Sequence, residues 1–227
     1  MIIPQINIAM LIDCDNVSAK YIDSIINDLS KYGTINIRNA YGNWKDKRLQ
    51  GWEDILHKYN IKPIQQFAYT KGKNASDIAM VIDIMDLLYT RNLGALALVT
   101  SDSDFTPVVS RILSNGITVY GYGEEKTPES FVNACSQFIY VEKLFDYTKE
   151  EDTASINSNH KLTKVQLRKD TKLVALLRKA AEQTSDDSGW SNIAAVGLYI
   201  NQNSSFSPIN YGYKKLENQY NIFFICI

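Results

Sequence analysis

The chain has 227 residues, with 24 Lys and Arg against 25 Asp and Glu and only two His. That length fits one large domain, or a medium domain with a small one. Near-neutral charge excludes a binder that works through a global positive field, though not a local basic patch. Residues 1–148 carry 14 basic and 17 acidic side chains, and residues 149–227 carry 10 and 8, so an acidic front precedes a mildly basic back. The three cysteines, Cys14, Cys135 and Cys226, are widely spaced and form no CxxC pair. They argue against a zinc site and a disulfide framework and fit a reducing, cytoplasmic setting. The start has no basic n-region and does not read as a signal peptide. No run approaches the roughly 18 apolar residues of a membrane span, so no membrane partner is expected.

In chain order, Ile6 to Ile12 is a nearly continuous apolar run, the mark of a buried strand, and it ends at Asp13. Tyr21 to Tyr32 has helical spacing and stops before Gly33; Thr34 to Tyr41 alternates like a strand. Trp52 to Tyr59 reads as a helix, and Ile61 to Tyr69 contains a strand. Ser76 to Tyr89 is a strong helix, apolar almost all round. Ala95 to Thr100 is a buried strand ending at Ser101-Asp102, Phe105 to Ser114 a helix, and Ile117 to Tyr122 a strand. Ser130 to Ala134 is a short helix and Gln137 to Val141 a last strand. Strands alternating with helices imply βαβ units and a parallel sheet. Asp146 to Asn159 is polar and reads as a linker. The expected division is a first domain over 1–146, a linker over 147–160 and a second domain over 161–227. In the second, Lys161 to Gln183 is a basic helical segment, with seven Lys/Arg and one acid between Lys161 and Lys179. Trp190 to Ile200 is a helix, Tyr213 to Tyr220 another, and Ile222 to Ile227 a closing strand.

Acidic residues gather at three places: Asp13-Cys14-Asp15-Asn16 after the first strand, Asp77 in the first turn of the apolar helix, and Ser101-Asp102-Ser103-Asp104. In open parallel sheets, ligands bind beyond the carboxyl ends of the strands. If the strands from Ile6 and Ala95 are neighbours, Asp13 and Asp102 converge there, within reach of Asp77. Carboxylates held together repel and are costly to desolvate. A hard divalent ion, Mg²⁺ or Mn²⁺, relieves that with oxygen ligands alone. Such ions serve phosphodiester hydrolysis. The competing structural reading is that these are turn and cap residues, and Asn74-Ala75-Ser76-Asp77 does resemble a helix cap. Asp83 and Asp86 read as structural. Lys71 and Lys73, on a glycine loop, are candidates to hold a phosphate backbone, or simply an exposed loop. Cys14 has no nearby His to activate it and reads as a small buried filler.

Together, Ile12 to Asn16, Lys73 to Asp77 and Thr100 to Phe105 resemble the motifs of the NYN domain family, over about residues 5–145. NYN domains are similar to PIN domains. The resemblance implies an α/β, three-layer, parallel-sheet, flap-nuclease-like fold and a metal-dependent ribonuclease acting on single-stranded RNA. It implies Asp13, Asp77, Asp102 and Asp104 as metal ligands, with Asn16 in support. Phe206 to Leu216 is similar to the signature of the OST-HTH, or LOTUS, domain, over about residues 165–227. That implies a small winged-helix α+β module associated with RNA binding. Its Tyr211, Tyr213, Lys214 and Lys215 combine stacking surface with charge, unless the tyrosines belong to the core. A homodimer or a protein partner through this domain is a further expectation. Two alternatives stay open. Asp13-Cys14-Asp15-Asn16-Val17 also fits the nucleophile motif of haloacid-dehalogenase-like phosphatases, although the strand ending at Tyr122 is followed by Glu124-Glu125 and not by the Asp that their pattern needs. The protein could instead bind RNA without cutting it.

Overall fold

A computed structural model describes residues 6–66, 75–153, 161–187, 189–213 and 216. The chain divides into two compact units, Met1–Glu142 and Lys143–Ile227.

The first unit is built on six parallel strands in the order β3-β2-β1-β4-β5-β6. They are β1 (Ile6–Asp13), β2 (Gly33–Gly42), β3 (Lys62–Gln65), β4 (Ala95–Val99), β5 (Thr118–Gly123) and β6 (Gln137–Tyr140). The central strands are apolar because helices cover both faces: β4 is buried at every position, and β1 from Ile8 onward. The short edge strand β3 carries Pro63, which only an edge tolerates. β1 and β4 are neighbours, as expected, with Ile12 opposite Val99. Beyond that pair the chain turns polar at Asp13 on one strand and Thr100 on the other.

Helices α1 (Ile22–Leu29) and α2 (Glu53–Lys58) connect the first three strands; α3 (Ala75–Thr90) then carries the chain from edge strand β3 across to β4. The direction of winding reverses between β1 and β4, the kind of crevice where open sheets bind ligands. On one face, Met80, Ile84 and Leu88 of α3, Val109 and Ile112 of α4 (Thr106–Ser114) and Phe131 of α5 (Glu129–Ala134) pack on Ala9, Leu11, Leu96, Leu98 and Val119. The tyrosines of β5 meet α1 and the turn after it: Tyr122 donates to the buried Asp28 of α1, and Tyr120 stacks on Tyr32.

Three expectations change. Helix α3, apolar almost all round, is covered on one side only: Met80, Ile84 and Leu88 are buried with Ala79, Val81, Met85 and Leu87 packed beside them, while Ile78, Ile82 and Tyr89 face solvent. The stretch read as a linker begins as a helix, since α6 runs over Val141–Thr153. The basic segment is two helices, α7 (Lys164–Lys169) and α8 (Thr171–Thr184), because the Asp170 carboxylate accepts from the Leu173 N–H and starts a second helix.

In the second unit, α7, α8 and α9 (Ile193–Asn203) enclose Leu167, Leu173, Leu177, Ala180, Val196 and Ile200. A 3-10 turn over Pro208–Tyr211 follows, and an antiparallel bridge joins Ser185 to Ser191. The helix expected over Tyr213 to Tyr220 lies almost wholly outside the described residues, and the strand expected over Ile222 to Ile227 lies entirely outside them. Among the described residues, no helix is long and apolar enough to cross a membrane.

Asp28 is 1% exposed, and its carboxylate accepts from Lys31 at 2.9 Å and from Tyr122 at 3.0 Å. Tyr122→Phe removes one donor to a buried charge, so it is expected to cost about 1.5–3 kcal/mol. A lower urea midpoint with unchanged slope is the expected result; an unmoved midpoint contradicts it.

Candidate active site

The site forms at the carboxyl ends of β1 and β4. Asp13 is 1% exposed. Its Oδ2 accepts from Asn16 Nδ2 at 2.6 Å and from Thr100 Oγ1 at 2.9 Å, and its Oδ1 accepts from the Asp15 N–H at 3.2 Å. Burial raises its pKa above the ordinary carboxylate value, and the bonds from Asn16 and Thr100 oppose that shift. Asn16 thus acts on Asp13 itself.

Thr100, fully buried, is the hinge pin. Its hydroxyl donates to Asp13 and accepts from the Asp102 N–H at 3.1 Å. The Asp102 carboxylate in turn accepts from the Asp104 N–H at 2.8 Å, capping the 3-10 turn Ser103–Phe105. The cap reading of Asp102 is therefore correct as far as it goes, and it places Asp102 and Asp104 on one short turn. Phe105, 1% exposed, anchors that turn in the core. Ser101 Oγ accepts from the Glu124 N–H, tying the loop to the end of β5. Gly123 leaves room for this: a Cβ there would stand 2.6 Å from the Thr100 carbonyl oxygen.

Asp77 arrives from the first turn of α3, and Ser76 beside it donates to Asp15 Oδ2 at 3.3 Å. The Asp77 carboxyl is pushed up to about 6, first by burial, then by the negative charges of Asp13, Asp102, Asp15 and Asp104. Asp77 thus feels the charges of the other three expected aspartates, which come from two further segments, and of Asp15. Asp83 stands apart, accepting from the Tyr41 hydroxyl at 2.7 Å. Cys14 is buried, and burial with flanking Asp13 and Asp15 pushes its thiol well up, which suits a filler and not a nucleophile.

The donor set is all oxygen and strongly anionic, which fits a hard divalent cation in kind. The expected closed cage is not formed: among the described residues, no group of three or more His, Cys, Asp or Glu is arranged to hold a metal ion. Magnesium is often held by one or two carboxylates with waters and substrate phosphate completing its shell, and this open arrangement fits that mode.

Lys71, Lys73, Lys214 and Lys215 lie outside the described residues. Tyr213 is corrected: it is 6% exposed, packs in the core of the second unit and donates to the Leu162 carbonyl at 2.7 Å. Its ring is not available for stacking on a base. Tyr211 is half-buried and stacks on Phe206. Sequence reasoning missed the parts played by Thr100, Ser101 and Ser76. The one signal available was their place inside or beside the acidic motifs.

A parallel sheet with carboxylates clustered at its switch point defines a PIN-like α/β protein. The NYN domain model matches residues 7–142, and the chain belongs to that family. The OST-HTH/LOTUS domain model matches residues 166–218. An uncharacterized protein of Methanocaldococcus jannaschii is 31% identical over 122 residues, covering 52% of this chain and 48% of its own, so the chain spans about half the length of that relative. A crystal structure of a protein of unknown function from Vibrio parahaemolyticus shares the fold, with a TM-score of 0.51 and 17% identity over 60% of this chain and 93% of that one.

The raised Asp77 carboxyl has a stability consequence. Between the ordinary value of 3.8 and about 6, folded Asp77 keeps a proton that the unfolded chain has lost. Stability therefore falls as pH rises through that window, and above it the charged form carries the full cost. Asp77→Asn should raise Tm in EDTA at pH 8 by a few degrees, about 1 kcal/mol after discounting for solvent screening. The gain should fade toward pH 4. A lowered Tm at pH 8 would contradict the assignment of repulsion.

Proposed function

We propose that this protein is a divalent-metal-dependent ribonuclease that hydrolyses phosphodiester bonds in single-stranded RNA, with residues 161–227 serving as an RNA-binding module. The observation that carries the reading is the hydrogen-bonded run from Asp13 through Thr100 to Asp102 and Asp104 at the sheet edge, beside an Asp77 carboxyl raised first by burial and then by their charges. Membership of the NYN family and the OST-HTH/LOTUS match support it.

Magnesium or manganese held by one or two of these aspartates, with waters and substrate phosphate completing its shell, would neutralise charge on the scissile phosphate and acidify a water beside it. The chain's own residues prepare that site. Asn16 and Thr100 hold Asp13 in a single orientation, so no reorganisation is needed when substrate arrives. The Ser103–Phe105 turn presents Asp102 and Asp104 from a loop pinned by Phe105 and Ser101. Lys71 and Lys73 are assigned to the phosphate backbone, which needs charge and no base recognition. Lys214 and Lys215, with the basic run from Lys161, add affinity in the second module.

Purified protein is tested on labelled single-stranded RNA with Mn²⁺, Mg²⁺ or EDTA. Cleavage is expected with metal and not with EDTA. Asp13→Asn and Asp102→Asn are each expected to lower the rate by more than about 100-fold while RNA binding survives. Wild-type rates in both variants would overturn the metal-site assignment. A wild-type protein that binds RNA but cuts it with neither metal would make binding alone the function.

Removing residues 160–227 is expected to weaken RNA binding and flatten its dependence on salt, by about 0.7 in log–log slope for each phosphate that is no longer neutralised. Equal affinity and slope in the two chains would show that the second module contributes nothing.

A further inference from the structure

Beside the aspartates, the β1 end opens into a cleft of about 320 Å³ whose lining includes Asp15, Asn16, Trp52, Arg48, Glu124 and Lys126. Asn16 belongs to both places, since it lines the cleft and donates to Asp13. Trp52 is 3% exposed and gives the cleft a fixed apolar wall. Two cations stand at the rim on acidic tethers. Arg48 binds Asp46 through Nε at 3.0 Å and Nη2 at 2.7 Å, and its backbone N–H caps on the same carboxylate at 2.9 Å. Lys126 pairs with Glu124 at 2.7 Å. Asp15 lies within electrostatic reach of Arg48, so this cation and the acidic cluster sense one another.

A tether on one side leaves donors on the other. Asp46 engages Nε and Nη2 of Arg48, and a guanidinium carries five N–H donors in a rigid fork. Exposed pairs of this kind add little to stability, so both cations can turn from their carboxylates to a phosphate at small cost. Cations next to an apolar wall, one residue away from a phosphodiester-cutting centre, have the chemistry of a nucleotide subsite.

We propose that this cleft holds the nucleotide adjoining the scissile phosphate, with Arg48 and Lys126 gripping its phosphate and Trp52 and Leu49 forming the apolar wall. The proposal rests on the ribonuclease reading and adds a location and a direction to it. The strand crosses the sheet edge from the aspartates toward the 3-10 turn Lys47–Trp52. The phosphate is either an internal linkage or the end of a strand, and the two are chemically alike at the cations.

The test uses the full-length chain and 3′-labelled single-stranded RNA. Binding is measured in EDTA, so that it does not depend on cleavage, and cleavage kinetics are measured with Mn²⁺. Arg48→Ala combined with Lys126→Ala is expected to raise Kd and KM about tenfold, with kcat changed less than about twofold. Both positions are exposed, so the fold is expected to survive; Arg48→Lys should restore part of the loss. A neutral methylphosphonate at the gripped linkage should abolish the difference between wild type and the double variant. If a 5′-phosphate alone carries that difference, the cleft takes a strand end. If an internal linkage carries it, the cleft takes a continuing strand, and either result supports the proposal. Unchanged Kd and KM overturn it. Active wild type with no sensitivity to the two substitutions removes the cleft and leaves the nuclease reading. Inactive wild type with binding that still depends on Arg48 and Lys126 removes the nuclease reading and leaves the cleft as an RNA site.

Discussion

Asp13 sits at the end of the central strand with almost no exposure to water, and its three hydrogen bonds come from Asn16, Thr100 and the Asp15 backbone. A buried carboxylate without donors costs several kcal/mol, so these donors decide whether the sheet can end in an acid at all. They also decide the shape of what surrounds it. Thr100 cannot reach Asp13 unless β4 lies beside β1. Once it does, its second bond fixes the start of the loop that carries Asp102 and Asp104. One hydroxyl thus transmits the pairing of two strands into the placement of three carboxylates.

The cluster is an example of local disagreement inside a consistent fold. Every strand, helix stop and buried leucine around it points to the same architecture, while the carboxylates themselves repel. The core offsets that repulsion, with β1 and β4 buried over most of their length. The acidic field is also unevenly screened. On one side lie Arg48 and Lys126 with their own carboxylate partners. On the other, Ile78, Val81 and Ile82 of α3 join Asp77 and Asp104 around a cavity of about 240 Å³.

Much of this was legible in the chain because burial and chemistry coincide at the strand ends. An apolar run that stops at an aspartate announces both a central strand and an acid at its carboxyl end, and two such runs predicted the β1–β4 pairing. What was not legible depended on which face meets what. Met80, Ile84 and Leu88 are no more apolar than Ile78 and Ile82, yet only the first set touches the sheet. Tyr213 carries the same ring whether it faces RNA or the Leu162 carbonyl, and only packing decides. The polar letters after Asp146 suggested a linker, but polarity does not forbid a helix, and α6 continues through them. Arg48 and Lys126 gave no signal, since isolated cations in loops are common and their shared cleft exists only after folding.

The bond between Asp13 and Thr100 joins residues 87 positions apart in the chain. Pairings of that separation close late, because the loop between them must be ordered before they return any stability. During synthesis, β1, β2 and β3 are all made before the strand that buries the acidic end of β1 exists. The emerging chain therefore carries Asp13 for a long interval with neither its hydroxyl partner nor the neighbouring turn. The acidic centre cannot form until β4 has joined β1, because Thr100 and the turn carrying Asp102 and Asp104 follow that strand. Any ion or strand that this edge binds must therefore wait for the pairing of β1 with β4.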